Sequence, residues 1–210
     1  MKSPDKTLLN LATSSQKLQN RAIGNQQYAS ADFSSWVQEL FDNYIMSNVL
    51  DICCGTGNQL VLYAKKPIET LTGLDISSES IEKAKQRLID FQGELSLVSA
   101  PMENYLQKTE SNSKDFISSF YGLYYTNNIE ETCKQVDRIL STQGHFLVCG
   151  PYGENNSSLF QLLKKYYTLP EFVTYSSSTF MQETLSPILE GLGMSLEHKC
   201  FVNTISYPNP

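Results

Sequence analysis

The segment Val49-Leu50-Asp51-Ile52-Cys53-Cys54-Gly55-Thr56-Gly57-Asn58 decides the fold of this chain. Its largely apolar first half predicts a buried strand, and the residues from Asn58 to Lys65 predict a helix. Gly55 and Gly57 carry no Cβ, so the backbone between strand and helix can turn tightly and a ligand can approach it closely. A helix that starts there would present free N–H groups and a partial positive charge. The segment therefore predicts a ligand-binding turn.

The rest of the chain alternates between strand and helix patterns. Further strands are predicted at Glu69–Asp75, Leu95–Val98, Lys114–Phe120 and His145–Cys149, and helices at Phe33–Tyr44, Ser78–Phe91, Pro101–Gln107 and Asn128–Leu140. This order predicts an α/β fold, in which helices cover both faces of a doubly wound, mostly parallel sheet. Such sheets bind ligands beyond the carboxyl ends of their strands, which is where the glycine turn lies.

The alternation changes in the C-terminal quarter. We expect an insertion at about residues 152–178, then a helix at Phe180–Leu192 with a kink at Pro187, and a last strand at Ser195–Tyr207. Residues 1–47 are expected to form a helical arm or cap. Residues 48–210 are expected to form the binding domain, and the insertion either covers a site at the sheet edge or only packs against it.

The residues around the glycine turn restrict the class of ligand. A dinucleotide turn has a third glycine that is missing after Gly57, and no Walker-type lysine follows. Asp51 would repel a diphosphate and suits a cationic group. Asp75 ends the next strand, about 20 residues beyond the turn, where a carboxylate binds ribose hydroxyls in related folds; the alternative is that Asp75 only caps the following helix. These features favour a cationic nucleoside over NAD or FAD.

The ordered motifs resemble those of class I S-adenosylmethionine (SAM)-dependent methyltransferases. The matching segments between Asn48 and Gly153 are VLDICCGTGN, LTGLDISSESIEKAK, SAPMENY, KDFISSFYGLYY and LSTQGHFLVCGPYG. The resemblance implies a Rossmann-like fold and SAM as the cofactor. The Cys-Cys form of the turn is similar to that of ubiquinone/menaquinone-biosynthesis methyltransferases, although this does not identify the substrate.

The resemblance also implies roles for individual residues. Asp51, Gly55 and Gly57 would face the methionine part of SAM, with Thr56 and Asn58 supplying turn groups. Asp75 would bind the ribose hydroxyls. The remaining cofactor contacts would be Ile76, Ala100 and Met102 around adenine, Phe120 beside the sulfonium, and Tyr28 closing over the methionine end. Tyr121 and Glu154 are the candidates for a general base, and no metal site is expected.

Two positions and the length of the C-terminal part depart from the family pattern. Cys53 replaces the first glycine of the turn, and Ser99 replaces the acid at the end of the third strand. The chain also stops at Pro210, soon after the expected sixth strand, whereas the family adds a seventh strand and a helix. We therefore expect either a shortened C-terminal part or a strand count that is off by one.

The amino-acid composition limits the classes of molecule that this protein is expected to bind. The chain has 210 residues, is 40% hydrophobic and carries a formal net charge of −6, which disfavours a nucleic-acid partner and supports one sizeable domain. No apolar run is long enough to cross a bilayer and no signal-peptide pattern is present, so we expect a cytoplasmic protein with reduced, mostly buried cysteines. A small-molecule acceptor is favoured. The alternatives are a catalytically inactive, SAM-binding partner or sensor protein and, more remotely, an NAD-dependent oxidoreductase.

Overall fold

The computed structural model describes residues 27–153, 155 and 157–206. Its centre is a five-stranded, fully parallel sheet with the strand order β3-β2-β1-β4-β5. The strands are β1 (Asn48–Ile52), β2 (Thr70–Asp75), β3 (Glu94–Ser99), β4 (Lys114–Phe120) and β5 (Leu140–Cys149). The order reverses between β1 and β4, so the switch point of the sheet lies at the glycine turn.

Helices connect the strands and cover the sheet. Their bounds are α1 (Phe33–Asp42), α2 (Leu60–Tyr63), α3 (Ser78–Arg87), α4 (Met102–Lys108), α5 (Ile129–Ile139), α6 (Ser157–Lys164), α7 (Glu171–Thr174) and α8 (Ser186–Gly191). A short 3₁₀ turn covers Leu123–Tyr125, and a π-helix covers Tyr175–Leu185. Side-chain oxygens of Asp32, Ser77 and Asn128 cap α1, α3 and α5.

Two apolar cores lie on opposite faces of the sheet, because successive strand residues point to opposite sides. Val49 belongs to the core under α1, α2 and α3. Its neighbour Leu50 belongs to the core under α4, α5 and α8. The predicted α/β fold with helices on both faces of a parallel sheet is therefore confirmed.

Several sequence-based boundaries are wrong. The helix after the glycine turn is one turn long and begins at Leu60, because residues 55–59 form a run of turns. Strand β5 begins at Leu140 rather than at His145. Pro187 lies in the first turn of α8, which continues directly from the π-helix, so it stands where the helical hydrogen bonding changes from π to α; the kink stays a prediction.

The predicted last strand at Ser195–Tyr207 is also wrong over its described part, residues 195–206. Glu197, His198 and Lys199 are consecutive and exposed, so this segment has no continuous apolar side to bury. It makes one isolated antiparallel bridge, between Ile205 and Ala29, and its Phe201 ring packs on α1. The described residues therefore form five strands in the sheet, and the sixth strand that the sequence predicts is not formed in them.

The two ends of the described chain are joined to each other. The Ser30 N–H donates to Thr204 O at 3.0 Å, and the Ser206 N–H donates to Tyr28 O at 3.2 Å. Of the arm predicted at 1–47, residues 27–47 are described and contain α1; the insertion predicted at 152–178 contains α6, α7 and the start of the π-helix. The division into an arm and a domain stays a prediction.

The described residues contain no candidate membrane span and no metal-binding cluster. None of their helices is both long enough and apolar enough to span a membrane. None of their His, Cys, Asp and Glu side chains group into a metal-binding cluster, and all five cysteines are unpaired. Cys54 and Cys133 are buried whereas Cys200 is exposed, so the expectation of mostly buried thiols holds for part of the set.

Candidate SAM-binding site

The glycine turn lies at the carboxyl ends of β1, β2 and β4, the three central strands. Its backbone adopts left-handed conformations at Cys53 (φ 61°), Gly55 (φ 54°) and Gly57 (φ 81°). Glycine adopts such angles readily, whereas a residue with a Cβ does so at a cost of roughly 1–3 kcal/mol. Cys53, which replaces the family's first glycine, therefore occupies a strained position within the turn.

Asp75 holds this turn in place. Its Oδ2 accepts a hydrogen bond from the Gly55 N–H, and its Oδ1 accepts one from the Ser77 N–H, both at 2.8 Å. Burial raises the pKa of Asp75, while the backbone N–H groups that it accepts act in the opposite direction. The helix cap itself is Ser77, whose Oγ accepts from the Ser80 N–H. Asp75 thus joins the turns after β1 and β2, with each carboxylate oxygen keeping one further lone pair for a ligand.

Helix α3 supports the turn from the outside. Arg87, in its last turn, donates through Nη1 to Thr56 O at 3.0 Å and to Asn58 Oδ1 at 2.5 Å. A Cβ placed on Gly57 would lie 3.1 Å from the Cβ of Ala84, so glycine at this position also allows the close approach of α3. The groups that Thr56 and Asn58 were predicted to offer to a ligand are therefore engaged by a protein cation.

Asp51 lies buried directly below the turn, with 1% of its surface exposed. Its Oδ1 accepts a hydrogen bond from Ser118 Oγ at 2.6 Å, and its Oδ2 has no partner among the described residues. Burial raises the pKa of Asp51 to about 7, and the nearby negative charge of Asp75 contributes to this shift. Since the side chain does not reach the surface, Asp51 can act on a cation in the turn through its charge rather than by direct contact.

The turn after β4 packs tightly against the turn after β1. A Cβ placed on Gly122 would lie 2.2 Å from the Cβ and 2.8 Å from the Sγ of Cys53. The next nearest atom, Ser119 Oγ, would be 3.6 Å away, and Gly122 has an ordinary φ of −131°. Glycine is required at position 122 because cysteine is present at position 53, and not because of its own backbone conformation.

The residues predicted around adenine lie at the ends of β2 and β3. Ile76 is 52% exposed, which is unusual for a large apolar side chain at the edge of a buried strand. The Ala100 N–H donates to Asp75 O at 3.0 Å, and Ser99 Oγ donates to Ile76 O at 3.3 Å. Met102 is buried in the core under α4 and α5. Ser99 therefore joins the two turns, in place of the acid that the family carries there.

The residues predicted near the methyl group lie at the end of β4. Phe120 is buried, and its ring packs edge-on against Phe33 (6.5 Å between centroids) and Phe41 (6.3 Å) of α1. Tyr121 is 46% exposed, has a left-handed φ of 54°, and its ring centroid lies 6.0 Å from that of Phe33. Burial of its hydroxyl and the neighbouring Cys149 thiol raise the pKa of Tyr121 well above its ordinary value.

The structure separates the remaining candidates. Tyr28 is half-buried in the segment that pairs with residues 203–206, and its role over the methionine end stays a prediction. Glu154 lies outside the described residues. Tyr124 packs against the core under α4, α5 and α8, and its ring also contacts Phe172 of α7 and Phe180 of the π-helix. His145 packs on Tyr44 near the start of β4, at the edge of the sheet opposite to the turn, as its place in the sequence predicts.

Three residues that matter here were missed by sequence reasoning. Arg87 has no signal beyond its place in the last turn of a helix, where a cation is common. Ser118 gives no sign in sequence that it is aligned with Asp51, an alignment that follows from the register of β1 and β4. The dependence of Gly122 on Cys53 could have been suspected, because cysteine occupies a position where the family has glycine.

Comparisons with known proteins match this chain to methyltransferases. Residues 49–144 match a family model described as a methyltransferase domain. A ubiquinone/menaquinone biosynthesis C-methyltransferase of Rickettsia bellii is 30% identical over 130 residues, which cover 58% of this chain and 51% of the relative. A demethylmenaquinone methyltransferase of Staphylococcus aureus is 26% identical over 125 residues, or 59% and 49% of the two chains. The chain thus spans about half the length of these curated relatives.

Solved structures share the fold at low sequence identity. A SAM-dependent methyltransferase structure from Methanococcus maripaludis has a TM-score of 0.64 at 19% identity, covering 93% of this chain and 90% of the other. One from Archaeoglobus fulgidus has a TM-score of 0.57 at 20% identity, covering 82% and 73%. The fold is that of the class I methyltransferases, and residues 49–144 match a methyltransferase domain. The relatives that the sequence matches include methyltransferases of quinone biosynthesis.

The contact between Cys53 and Gly122 predicts a coupled pair of substitutions. Gly122→Ala should destabilise the protein by about 1–3 kcal/mol, because the new methyl group overlaps the Cys53 side chain. Cys53→Gly/Gly122→Ala should recover most of that loss, since the overlapping atoms are gone. Urea unfolding of the two single variants and the double variant measures the coupling.

Gly191→Ala is the matched control for this cycle, because a Cβ there meets no atom within 4 Å. It should change stability little. Strictly additive effects of the Cys53 and Gly122 substitutions would contradict the packing described here.

The raised pKa of Asp51 predicts a dependence of stability on pH. The folded protein holds a proton on this carboxyl up to about pH 7, whereas the unfolded chain releases it near 3.8. The native state therefore binds more protons between these values, and the contribution of Asp51 to stability falls as the pH rises through this window. The fall is at most about 4 kcal/mol.

Asp51→Asn keeps an acceptor for Ser118 and removes the titration. The difference in unfolding free energy between wild type and Asp51→Asn should therefore shift against the wild type from about pH 4 to about pH 7. Chemical denaturation at several pH values measures it. A difference that is constant over this range would show that Asp51 ionises normally.

Proposed function

We propose that this protein transfers a methyl group from SAM to a small-molecule acceptor. The observation that carries the proposal is the left-handed glycine turn at the switch point of the sheet, which Asp75 ties to the neighbouring strand. Two acidic side chains, Asp51 and Asp75, lie beneath and beside this turn. A cationic nucleoside–amino acid suits such a site better than a diphosphate does.

The residues at the turn fit the chemistry of SAM. Asp51 holds a proton up to about pH 7 in the unliganded site, and a cation bound above the turn would favour its ionised form, so the carboxyl and a cationic ligand would stabilise each other. Both oxygens of Asp75 can accept hydroxyl hydrogen bonds in addition to the backbone bonds that they already make. The exposed Ile76 side chain offers an apolar face at the end of β2, where the adenine ring would lie.

SAM, when bound, supplies an electrophilic methyl group on a sulfonium centre with a good leaving group. The protein's contribution is then chiefly to align the acceptor and to exclude water, and alignment alone can supply up to about 7–11 kcal/mol. Phe120 and Phe33 form an apolar wall at the end of β4, and the aromatic rings of Phe201 and Trp36 extend it. Aromatic faces also stabilise cationic groups.

Tyr121 is suited to donate a hydrogen bond at this wall. Its raised pKa keeps the hydroxyl protonated at neutral pH, which disfavours the general-base role and favours that of a donor to an acceptor oxygen. An acceptor that is nucleophilic without a base on the protein, or that carries its own ionised group, would suit such a site. The role of Glu154, which lies outside the described residues, stays a prediction.

The acceptor class rests on charge and on the relatives. The net charge of −6 disfavours a polyanionic acceptor such as RNA. The named relatives act in the biosynthesis of quinones, which are small molecules. The alternative of an inactive SAM-binding partner or sensor is not favoured, since the turn, both acids and the aromatic wall are all present. Cytoplasmic location stays a prediction.

Binding of the product S-adenosylhomocysteine tests the cofactor site. Wild type should bind it in isothermal titration calorimetry. Asp75→Asn should weaken binding by at least about tenfold, because hydrogen bonds to a charged partner contribute about 1.5–3 kcal/mol each. Removing the 2′-hydroxyl from the ligand should weaken binding to wild type, but should weaken binding to Asp75→Asn much less, because the carboxylate that accepts from this hydroxyl is already replaced.

Asp90→Asn, an exposed change beyond the end of α3, is the matched control and should bind like wild type. Circular dichroism and the unfolding midpoint check that Asp75→Asn is folded. Equal affinity of Asp75→Asn and wild type would count against the ribose assignment, and no binding to wild type would remove the basis of the proposal.

Methyl transfer itself is tested with SAM labelled in its methyl group. We expect label to move into the low-molecular-weight fraction of a cell extract, with S-adenosylhomocysteine formed in equal amount. Asp75→Asn should lower the rate and Asp90→Asn should not. Label that moves only into RNA or protein would contradict the acceptor class, and tight cofactor binding without transfer to any fraction would favour the sensor protein instead.

A further inference from the structure

Helix α6 is half-buried along one edge and exposed along the other. Phe160 and Leu163 are half-buried, whereas Leu159 (51% exposed), Leu162 (53%) and Tyr166 (74%) are largely exposed. Among the described residues, neither apolar core includes a residue of this helix. The helix therefore has an inner apolar edge that meets the protein and an outer one that meets solvent.

The exposed residues form a continuous stripe. Leu159, Leu162 and Tyr166 are spaced at i, i+3 and i+7, which places them on one side of a helix. The helical hydrogen bonding reaches Tyr167, whose N–H donates to Leu163 O at 2.9 Å, so Tyr166 continues the same face. We call Leu159, Leu162 and Tyr166 the outer stripe. Isolated exposed apolar residues need no explanation, but an aligned set of three indicates a contact surface.

Basic residues accompany the outer stripe. Lys164 and Lys165 are exposed, and the sequence from Asn155 to Pro170 contains no acidic residue. The whole chain, by contrast, carries a net charge of −6. A short positive segment on an acidic protein, with leucines and tyrosines beside it, complements a surface that is negatively charged outside and apolar inside.

We propose that the outer stripe docks on an anionic lipid surface. Amphipathic helices with Lys on the polar side lie in the plane of a bilayer interface, with their apolar side chains inserted among the lipids. Tyrosine suits the interface because it has an apolar ring and a polar hydroxyl, and each Lys near an anionic surface strengthens binding several-fold. A protein partner is less favoured, because a stripe of three residues is smaller than a stable interface requires.

The position of α6 gives this docking a consequence for the rest of the molecule. The chain leaves the carboxyl end of β5 at Gly150 and enters α6 seven residues later. This stretch is tied to the π-helix, since the Gly153 N–H donates to Gln182 Oε1 at 3.2 Å. Docking through α6 would hold the edge of the sheet that carries the glycine turn close to the lipid, whether or not the acceptor is itself an apolar molecule.

Vesicle co-sedimentation tests the proposal with the full chain. Wild type should bind vesicles of mixed phosphatidylglycerol and phosphatidylcholine, and should bind phosphatidylcholine alone at least about tenfold more weakly. Leu159→Ser/Leu162→Ser/Tyr166→Ser should weaken binding to the mixed vesicles by about tenfold or more. Lys164→Gln/Lys165→Gln should weaken it by roughly tenfold and make it insensitive to salt.

The matched control replaces three exposed apolar residues elsewhere, in Ile45→Ser/Ile89→Ser/Val202→Ser, which are 98%, 80% and 82% exposed. It should bind vesicles like wild type. All variants should retain affinity for S-adenosylhomocysteine, so a failure of lipid docking is distinguishable from a failure of the cofactor site.

Three outcomes would overturn the proposal. They are no binding of wild type to the mixed vesicles, equal loss in the control and stripe variants, and equal affinity for both vesicle types. Light scattering of the free proteins adds a fourth: if wild type self-associates and the stripe variant does not, the outer stripe is an interface between copies of this chain.

Discussion

The organisation of the site depends on one buried carboxylate that accepts two backbone N–H groups. Asp75 bonds Gly55 and Ser77 at 2.8 Å each, and thereby fixes the turns after β1 and β2 relative to each other. Two adjacent strands of a parallel sheet end at the same edge, but their connections are otherwise independent. The shape of the candidate binding edge follows from this link, which Arg87 and the Gly57–Ala84 contact reinforce from the α3 side.

The same edge shows how one departure from a family pattern is accommodated. Cysteine at position 53 has a left-handed backbone, which has a cost, and its Cβ occupies the space beside β4. The chain accommodates this side chain with glycine at 122, where the backbone conformation alone would not require glycine. The compensation lies in the turn after β4, 69 positions along the chain (122 − 53), so the turns after β1 and β4 depend on each other.

The sequence predicted the features that arise from local pattern. The strand–helix alternation, the glycine turn and the position of Asp75 at the end of β2 all follow from periodicity and residue type, and the structure contains them. Features that depend on register or on tertiary packing were out of reach. The hydrogen bond between Ser118 and Asp51 depends on the register of β1 and β4. The predicted last strand fails because a strand also needs a neighbouring strand to pair with, and a local pattern does not show whether one is available.

The residues expected around the ligand also differ in whether local pattern or tertiary packing determines their role. Asp75 and Ile76 lie where the pattern places them and remain able to meet a ligand. Asp51, expected to contact the methionine part, is enclosed, because the strand that carries it is buried on both faces. The family resemblance predicts that Thr56 and Asn58 contact the ligand, but Arg87 of α3 already donates hydrogen bonds to Thr56 O and Asn58 Oδ1. Sequence indicates which chemistry is present at the turn, whereas packing decides which groups are free.

The central claim is that the turn held by Asp75 binds a cationic nucleoside–amino acid. A crystal structure of the protein with S-adenosylhomocysteine tests it most directly. The account predicts ribose hydroxyls within hydrogen-bond distance of Asp75, the adenine ring against Ile76, and the homocysteine end over Gly55 and Gly57. Ligand found away from this turn, or a turn that binds a diphosphate in preference, would contradict the account.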